Sequence, residues 1–221
     1  NETLEEIARS IFKHWFIDFE FPNADGKPYK SSGGAMVRSD LGDIPEGWQV
    51  GKLSDVATNN SETHKFEGKN KIIFINTGDV LDGKFLHENY MSVNTLPGQA
   101  KKRIAKDDIL YSEIRPKNKH FAYINFERNI ENYVVSTKFM VVRANDFILS
   151  RFLYLILKKQ ESIDEFNYIA ESRSGTFPQI TFEAVSYFQF PLPPIDIQKY
   201  LMPIFTNLME KKEFNVVEIE T

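Results

Sequence analysis

Val134-Val135-Ser136-Thr137-Lys138-Phe139-Met140-Val141-Val142-Arg143 is the stretch on which the reading of this chain turns. Its valines, phenylalanine and threonine favour extended backbone, because branched and aromatic side chains pack well on a pleated surface. Three shorter runs of the same character precede it: Lys71 to Asn76, Asp108 to Tyr111 and Phe121 to Phe126. Turn formers such as Gly78-Asp79, Asp82-Gly83 and Pro97-Gly98 separate several of these runs. Trp48 to Arg143 therefore reads as a mostly β unit with irregular connections.

On either side of that unit the spacing changes. Asn145 to Ile163 places Ile148, Phe152, Leu155, Ile156 and Lys159 at helical intervals, Arg173 to Gln179 is a polar loop, and Phe182 to Phe190 is a short helix or strand. Pro191-Leu192-Pro193-Pro194 closes the unit, since prolines remove amide donors and disfavour helix in the residue before each. Beyond it Ile197, Leu201, Ile204, Phe205 and Leu208 form an apolar stripe, in which Pro203 introduces a kink or marks a first turn.

At the other end Leu4, Ile7, Ala8, Ile11, Phe12, Trp15 and Phe16 make a second helical stripe, with Thr3 and Glu6 spaced as a capping box. Asn23 to Gly47, rich in turn formers, reads as a linker or long surface loop. Helices this short are marginal in water without packing, so each stripe needs a partner, either the other stripe or the β-rich body. The expected organisation is helix 1–22, linker 23–44, body 45–194 and helix 195–221. The expected fold class is α+β, a mostly β body flanked by N- and C-terminal helices that pack antiparallel.

The chain has 221 residues, no cysteine and a net charge of −4. Without cysteine there is no disulfide and no thiolate metal site, in keeping with a cytoplasmic location. No window approaches the roughly 18 consecutive apolar residues of a membrane span, so no membrane partner is expected. Because the sequence opens on Asn1 within a helical pattern, a fragment of a longer product is expected.

Negative charge argues against a nucleic-acid binder, since phosphate neutralisation dominates that affinity. Its distribution softens the argument: outside residues 1–22 and 195–221 there remain 22 basic residues against 21 acidic ones. Within that middle, 101–120 forms a basic island, with Lys101, Lys102, Arg103, Lys106, Arg115, Lys117 and Lys119 against Asp107, Asp108 and Glu113.

Catalytic signatures are missing. His14, His64, His87 and His120 lack metal-ligand spacing, and no glycine-rich phosphate loop, nucleophile elbow or zinc-protease motif occurs. Asp55, Glu67 and Lys69 make a nuclease-like array, because carboxylates beside a lysine hold a metal and activate water. That pattern is common by chance, and its lysine falls in the turn Gly68-Lys69-Asn70. A metal-dependent nuclease stays as an alternative, as does a protein-interaction scaffold whose apolar stripes recruit partners without DNA contact.

The island itself has two readings. Lys101, Lys102 and Arg103, beside Arg115, Lys117, Asn118, Lys119 and His120, would hold phosphates, with arginine and asparagine offering bidentate contacts to guanine and adenine edges. The other reading is a solvated basic surface. Likewise Arg173, Ser174, Thr176 and Gln179 lie in a flexible loop centred on Gly175, which is either groove-facing or a plain connection.

Several motifs together resemble one family. Leu4-Glu5-Glu6-Ile7-Ala8 with Phe12-Lys13-His14-Trp15-Phe16-Ile17-Asp18-Phe19 resembles the end of the conserved spacer helix of type I restriction-modification specificity subunits. Ile44-Pro45-Glu46-Gly47-Trp48 with Lys52-Leu53-Ser54-Asp55-Val56-Ala57 is similar to the entry of their target-recognition domain. Asp107 to Pro116 resembles its central strand, and Ser174-Gly175-Thr176 through Leu192-Pro193-Pro194 its exit, although Ile197-Gln198 stands where Glu-Gln is usual.

The resemblance implies a non-catalytic specificity subunit that reads one half of a bipartite double-stranded DNA target. Its paired helices would act as a ruler, with Leu4, Ile7, Ile11 and Trp15 facing Ile197, Leu201, Ile204, Phe205 and Leu208. It further implies docking to methyltransferase subunits and to a restriction subunit. S-adenosylmethionine, ATP and magnesium would then sit on those partners, and this chain would bind no cofactor. A fragment that pairs with itself through the terminal stripes, as a homodimer, is also allowed.

Overall fold

In a computed structural model the structure describes residues 2–173, 175–203 and 206, with the backbone alone for 2–5. The chain is α+β with helices near both ends, as its sequence predicts. It divides into two compact units, one made of 1–51 with 189–221, the other of 52–188.

The first unit opens with α1 (Glu2–Phe16). Among its described side chains Ala8, Phe12 and Phe16 are buried, while Ile7 is 40% exposed and Ile11 and Trp15 are half-buried. All three buried residues belong to the expected apolar stripe, of which Ile7, Ile11 and Trp15 are the less buried members. Aromatic packing explains the deeper burial of Phe16. Trp48, itself buried, lies 6.2 Å from the Phe16 ring, 5.5 Å edge-on from Phe19 and 5.3 Å in a stack with Phe21. Such pairs gain from ring quadrupoles as well as from area removed from water.

The stretch read as a linker is partly ordered into a hairpin, β1 (Met36–Ser39) with β2 (Gly42–Pro45), whose turn uses Gly42 at φ 92°. A third strand, β3 (Gln49–Lys52), leads into the second unit.

That unit holds the short helix α2 (Leu53–Val56), then β4 (Ala57–Asn59), β5 (Lys71–Ile75), the small hairpin β6 (Val80–Leu81) and β7 (Lys84–Phe85), β8 (Tyr90–Ser92) and β9 (Ala100–Lys102). Next come β10 (Ile109–Ser112), β11 (Phe121–Tyr123), β12 (Tyr133–Ser136) and β13 (Phe139–Ala144), followed by α3 (Ser150–Leu157), α4 (Gln160–Arg173) and α5 (Phe182–Val185).

Two four-stranded sheets result, ordered β8-β5-β12-β9 and β11-β10-β13-β4. In the first, β12 runs parallel to β5 and antiparallel to β9. The second is antiparallel throughout. The run Val134 to Arg143, read as one extended stretch, breaks at Thr137-Lys138 and supplies β12 to one sheet and β13 to the other.

Strand alternation explains how both sheets are buried. Ile73, Ile75 and Val135 of the first sheet share one core cluster with Leu110, Ala122, Phe139 and Val141 of the second. Ile72, Phe74, Ala100 and Val134 point to the opposite face of the first sheet, where Phe66, Met91, Val93 and Leu96 cover them. The helices close the far side of the second sheet, with Phe166 5.6 Å edge-on from Tyr111 and Tyr154 6.2 Å edge-on from Phe121. Helix α3 begins at Ser150, inside the stretch from Asn145 whose spacing is helical but later than its start, and the helical region runs on through α4 to Arg173 after a break near Lys159.

The chain then returns to the first unit through β14 (Gln189–Leu192), which pairs with β3. Gly51 permits that pairing to be close, because a Cβ there would lie 3.1 Å from the Leu192 side chain. Residues 195–203 are helical, so Pro203 falls well beyond the first turn. Gln198 is fully buried and its side-chain amide donates to the Pro193 carbonyl at 2.9 Å. Ile197 is half-buried and Leu201 buried, whereas Ile204, Phe205 and Leu208 lie outside the described residues.

Candidate nucleic-acid interface

The connection from β10 to β11 is a tight 3-10 turn, Pro116–Asn118, flanked by two residues in left-handed backbone. Arg115 has φ 43° and Lys119 φ 57°, and neither is glycine. Proline at 116 fixes its own φ and pushes Arg115 away from right-handed helix. Left-handed non-glycine residues persist only where the surroundings hold them, and they gather at functional sites.

Here the holding element is the 178–180 segment. The Arg115 amide donates to the Pro178 carbonyl at 3.1 Å, the Ile180 amide donates to the Glu113 carbonyl at 2.8 Å, and Ile114 bridges Gln179. Two segments that are remote in sequence, the island's second half and the polar loop, thereby form one rim. Arg115, Lys117, Asn118, Glu171, Gly175 and Pro178 line an open cleft of about 510 Å³ on it.

Charges on the rim differ in availability. Arg115 is exposed and makes no ion pair among the described residues. Asn118 and Lys119 use their backbones in the turn, Lys119 donating its amide to Pro116 at 3.0 Å. Lys117 reaches the Glu171 carboxylate at 3.4 Å. The Asn167 side-chain amide donates to that same oxygen at 2.9 Å. The Asn167 bond first, then Lys117, holds the Glu171 carboxyl below the usual range. Arg173 is exposed at the end of α4 rather than on the loop, Thr176 is exposed on the loop, and Ser174 lies outside the described residues.

The first half of the island is occupied differently. Lys102 is half-buried and donates to the Phe139 carbonyl at 2.6 Å. Burial lowers its pKa, against the pull of Glu113. Burial likewise raises Glu113, against Lys102 and Lys138. Lys138 donates to Gln179 at 3.3 Å, so the Gln179 side chain serves this internal network rather than the rim. Arg103 is paired with Glu62 at 2.7 Å, and their backbones are joined as well. Lys101 is exposed on β9. The His120 ring Nδ1 donates to the Val80 carbonyl at 2.6 Å, which leaves that nitrogen no bond for a base edge.

Of the island's acids, Asp108 is fully buried and takes a two-pronged bond from Arg143 at 2.7 and 2.9 Å, while Asp107 accepts from the Tyr123 hydroxyl. Lys138 and Glu171 were not among the expected site residues. A cation placed between two apolar runs was the available signal for Lys138. The i, i+4 spacing of Asn167 and Glu171 was the signal for Glu171.

Of the nuclease-like array, Lys69 is engaged elsewhere. Lys69 bonds the Asn132 side chain at 2.5 Å, and among the described residues no group of three or more His, Asp or Glu is placed to hold a metal. No described helix is long and apolar enough to cross a membrane.

The family model for the type I restriction modification DNA specificity domain matches residues 45–220. The chain belongs to that family. This specificity domain is 47% identical over 169 residues to the type I restriction enzyme HindI specificity subunit of Haemophilus influenzae, covering 76% of the chain and 36% of that subunit. To the putative type I restriction enzyme MjaX specificity subunit of Methanocaldococcus jannaschii it is 26% identical over 177 residues, covering 77% of the chain and 41% of that protein. Its fold is similar to that of the HsdS subunit from Thermoanaerobacter tengcongensis, with a TM-score of 0.65, 23% identity, and coverage of 83% of this chain and 48% of that one. The specificity domain thus spans less than half the length of each of these relatives.

Proposed function

We propose that residues 52–188 read one half of a split double-stranded DNA target, without catalysis of their own, and that the rim at 113–120 and 171–179 is the reading surface. The observation that carries this is the joining of those two segments by the Arg115-to-Pro178 and Ile180-to-Glu113 bonds, which puts an exposed guanidinium and Asn118 side by side around an open cleft. Arginine and asparagine are the side chains whose forked donors and acceptors match guanine and adenine edges in the major groove. Lys117, Lys119, Arg173 and Lys101 supply phosphate contacts that position the domain.

The terminal helices, whose segments belong to one compact unit, act with a second recognition half as the spacer, by antiparallel pairing within one subunit or between two copies. Methyltransferase subunits dock on the assembly and bring S-adenosylmethionine chemistry, and a restriction subunit brings ATP- and magnesium-dependent cleavage. The chain works in the cytoplasm, where its DNA is.

Co-expression with a candidate methyltransferase subunit, followed by mapping of methylated adenines, tests the reading. A split target whose one half changes when Arg115 or Asn118 is replaced is the expected result. Methylation that ignores both replacements removes the rim as the reading surface.

A further inference from the structure

The Lys117–Glu171 pair sits on the cleft that the reading above assigns to DNA, and this inference rests on that reading. As a stabilising element the pair is weak. Both side chains are half exposed or more, at 60% and 50%, and exposed pairs are screened and contribute little. Glu171 also lies in the last turn of α4, near the helix end that disfavours a carboxylate. Yet its position is fixed. Asn167, one turn earlier, donates to the same oxygen that receives Lys117, so the carboxylate is held toward the cleft from its own helix.

We infer that Glu171 is a specificity-determining residue: held by Asn167, it occupies the Lys117 ammonium in free protein and so suppresses sequence-independent phosphate binding at the reading cleft. Such binding is driven by cations that displace condensed counterions, one per phosphate neutralised. A lysine already neutralised by its own carboxylate displaces none until it changes partner. That exchange is repaid when the rim is seated on a matching sequence, where base contacts add to the phosphate contact. On an arbitrary sequence it is not. Glu171 therefore lowers the background against which a target is found, and it does so through Lys117.

The test measures binding of the full chain to a short random-sequence duplex by fluorescence anisotropy across a salt series. The forms compared are wild type, Glu171→Gln, Lys117→Ala and the double variant. Glutamine keeps the Asn167 bond and removes the charge. Glu171→Gln is expected to tighten binding about three- to tenfold and to steepen the log–log salt slope by up to about 0.9. Lys117→Ala is expected to weaken binding, and adding Glu171→Gln to it is expected to change little.

If the gain from Glu171→Gln persists undiminished without Lys117, the carboxylate merely repels DNA and the inference fails. If Glu171→Gln leaves affinity and slope unchanged while Lys117→Ala weakens binding, the inference fails and the DNA reading stands. If no form binds the duplex, both fall. Urea midpoints matched across the four forms confirm that exposed side chains alone have been changed.

Discussion

At Lys102 the ammonium lies half-buried against the Phe139 carbonyl and Glu113, whereas at Arg115 the guanidinium stands exposed on a strained turn above an open cleft. Both belong to one basic island in the sequence. The strand half of that island, 101–103, spends two of its three cations on the protein itself, Lys102 on a half-buried bond to a carbonyl and Arg103 on Glu62 at the surface. The turn half, 115–119, spends its backbone on the fold and leaves Arg115 for a partner. Charge counted along a chain therefore measures the supply of cations, while burial and local carboxylates decide how many remain for phosphate. On the proposed reading it is also how a chain with net charge −4 would accommodate DNA: what counts is the sign at the rim.

The contrast is broken most readily at the island's acids. Asp108 is fully buried, and besides Arg143 it accepts the Ala105 amide at 2.7 Å. Asp108→Ala should cost about 2–4 kcal/mol in urea unfolding, because it removes the acceptor of both the Ala105 amide and the part-exposed Arg143 guanidinium. A cost under about 0.5 kcal/mol, the usual range for surface changes, would erase the distinction between structural and available charges.

Arg115→Ala sharpens the comparison from the other side. It should weaken DNA binding by about 1–3 kcal/mol and alter base preference, with stability held within about 0.5 kcal/mol. Loss of stability in place of affinity would move Arg115 into the structural half.

The smallest effect is a pH dependence. Burial raises the Glu113 pKa in the folded chain, so its contribution to stability is fully present below the unfolded carboxylate pKa and is lost as pH rises through the folded one. The stability of wild type relative to Glu113→Gln should accordingly decline from acid toward neutral pH, read from urea midpoints. A difference that stays flat or grows would show that Lys102 and Lys138 outweigh the burial of Glu113.

Much of this architecture was legible in the residues. The runs at 71–76, 108–111 and 121–126 are strands or contain them, because branched and aromatic residues bounded by turn formers leave the backbone few alternatives. The division of Val134 to Arg143 between two sheets was not legible, since both strands are apolar on both faces and alternation carries no mark of a change of sheet. Only Thr137-Lys138, a polar pair inside an apolar run, hinted at it. In α1 the apolar stripe was legible but not which of its edges is the more deeply buried, because Ile7-Ile11-Trp15 and Ala8-Phe12-Phe16 are neighbouring rows of nearly equal hydrophobicity and the packing of Phe16 against Trp48 involves a residue more than thirty positions away. For the candidate site, the sequence named both segments but not their joining, which depends on backbone bonds between residues more than sixty positions apart.

The two-residue break at Thr137-Lys138 has a consequence for how the body comes apart. With β12 laced into one sheet, β13 into the other and no slack between them, neither sheet can open while its neighbour stays shut. Amide exchange at Val135 and Val141 should share one opening event, and a protease should meet the body either whole or fully unravelled, with no half-open form between.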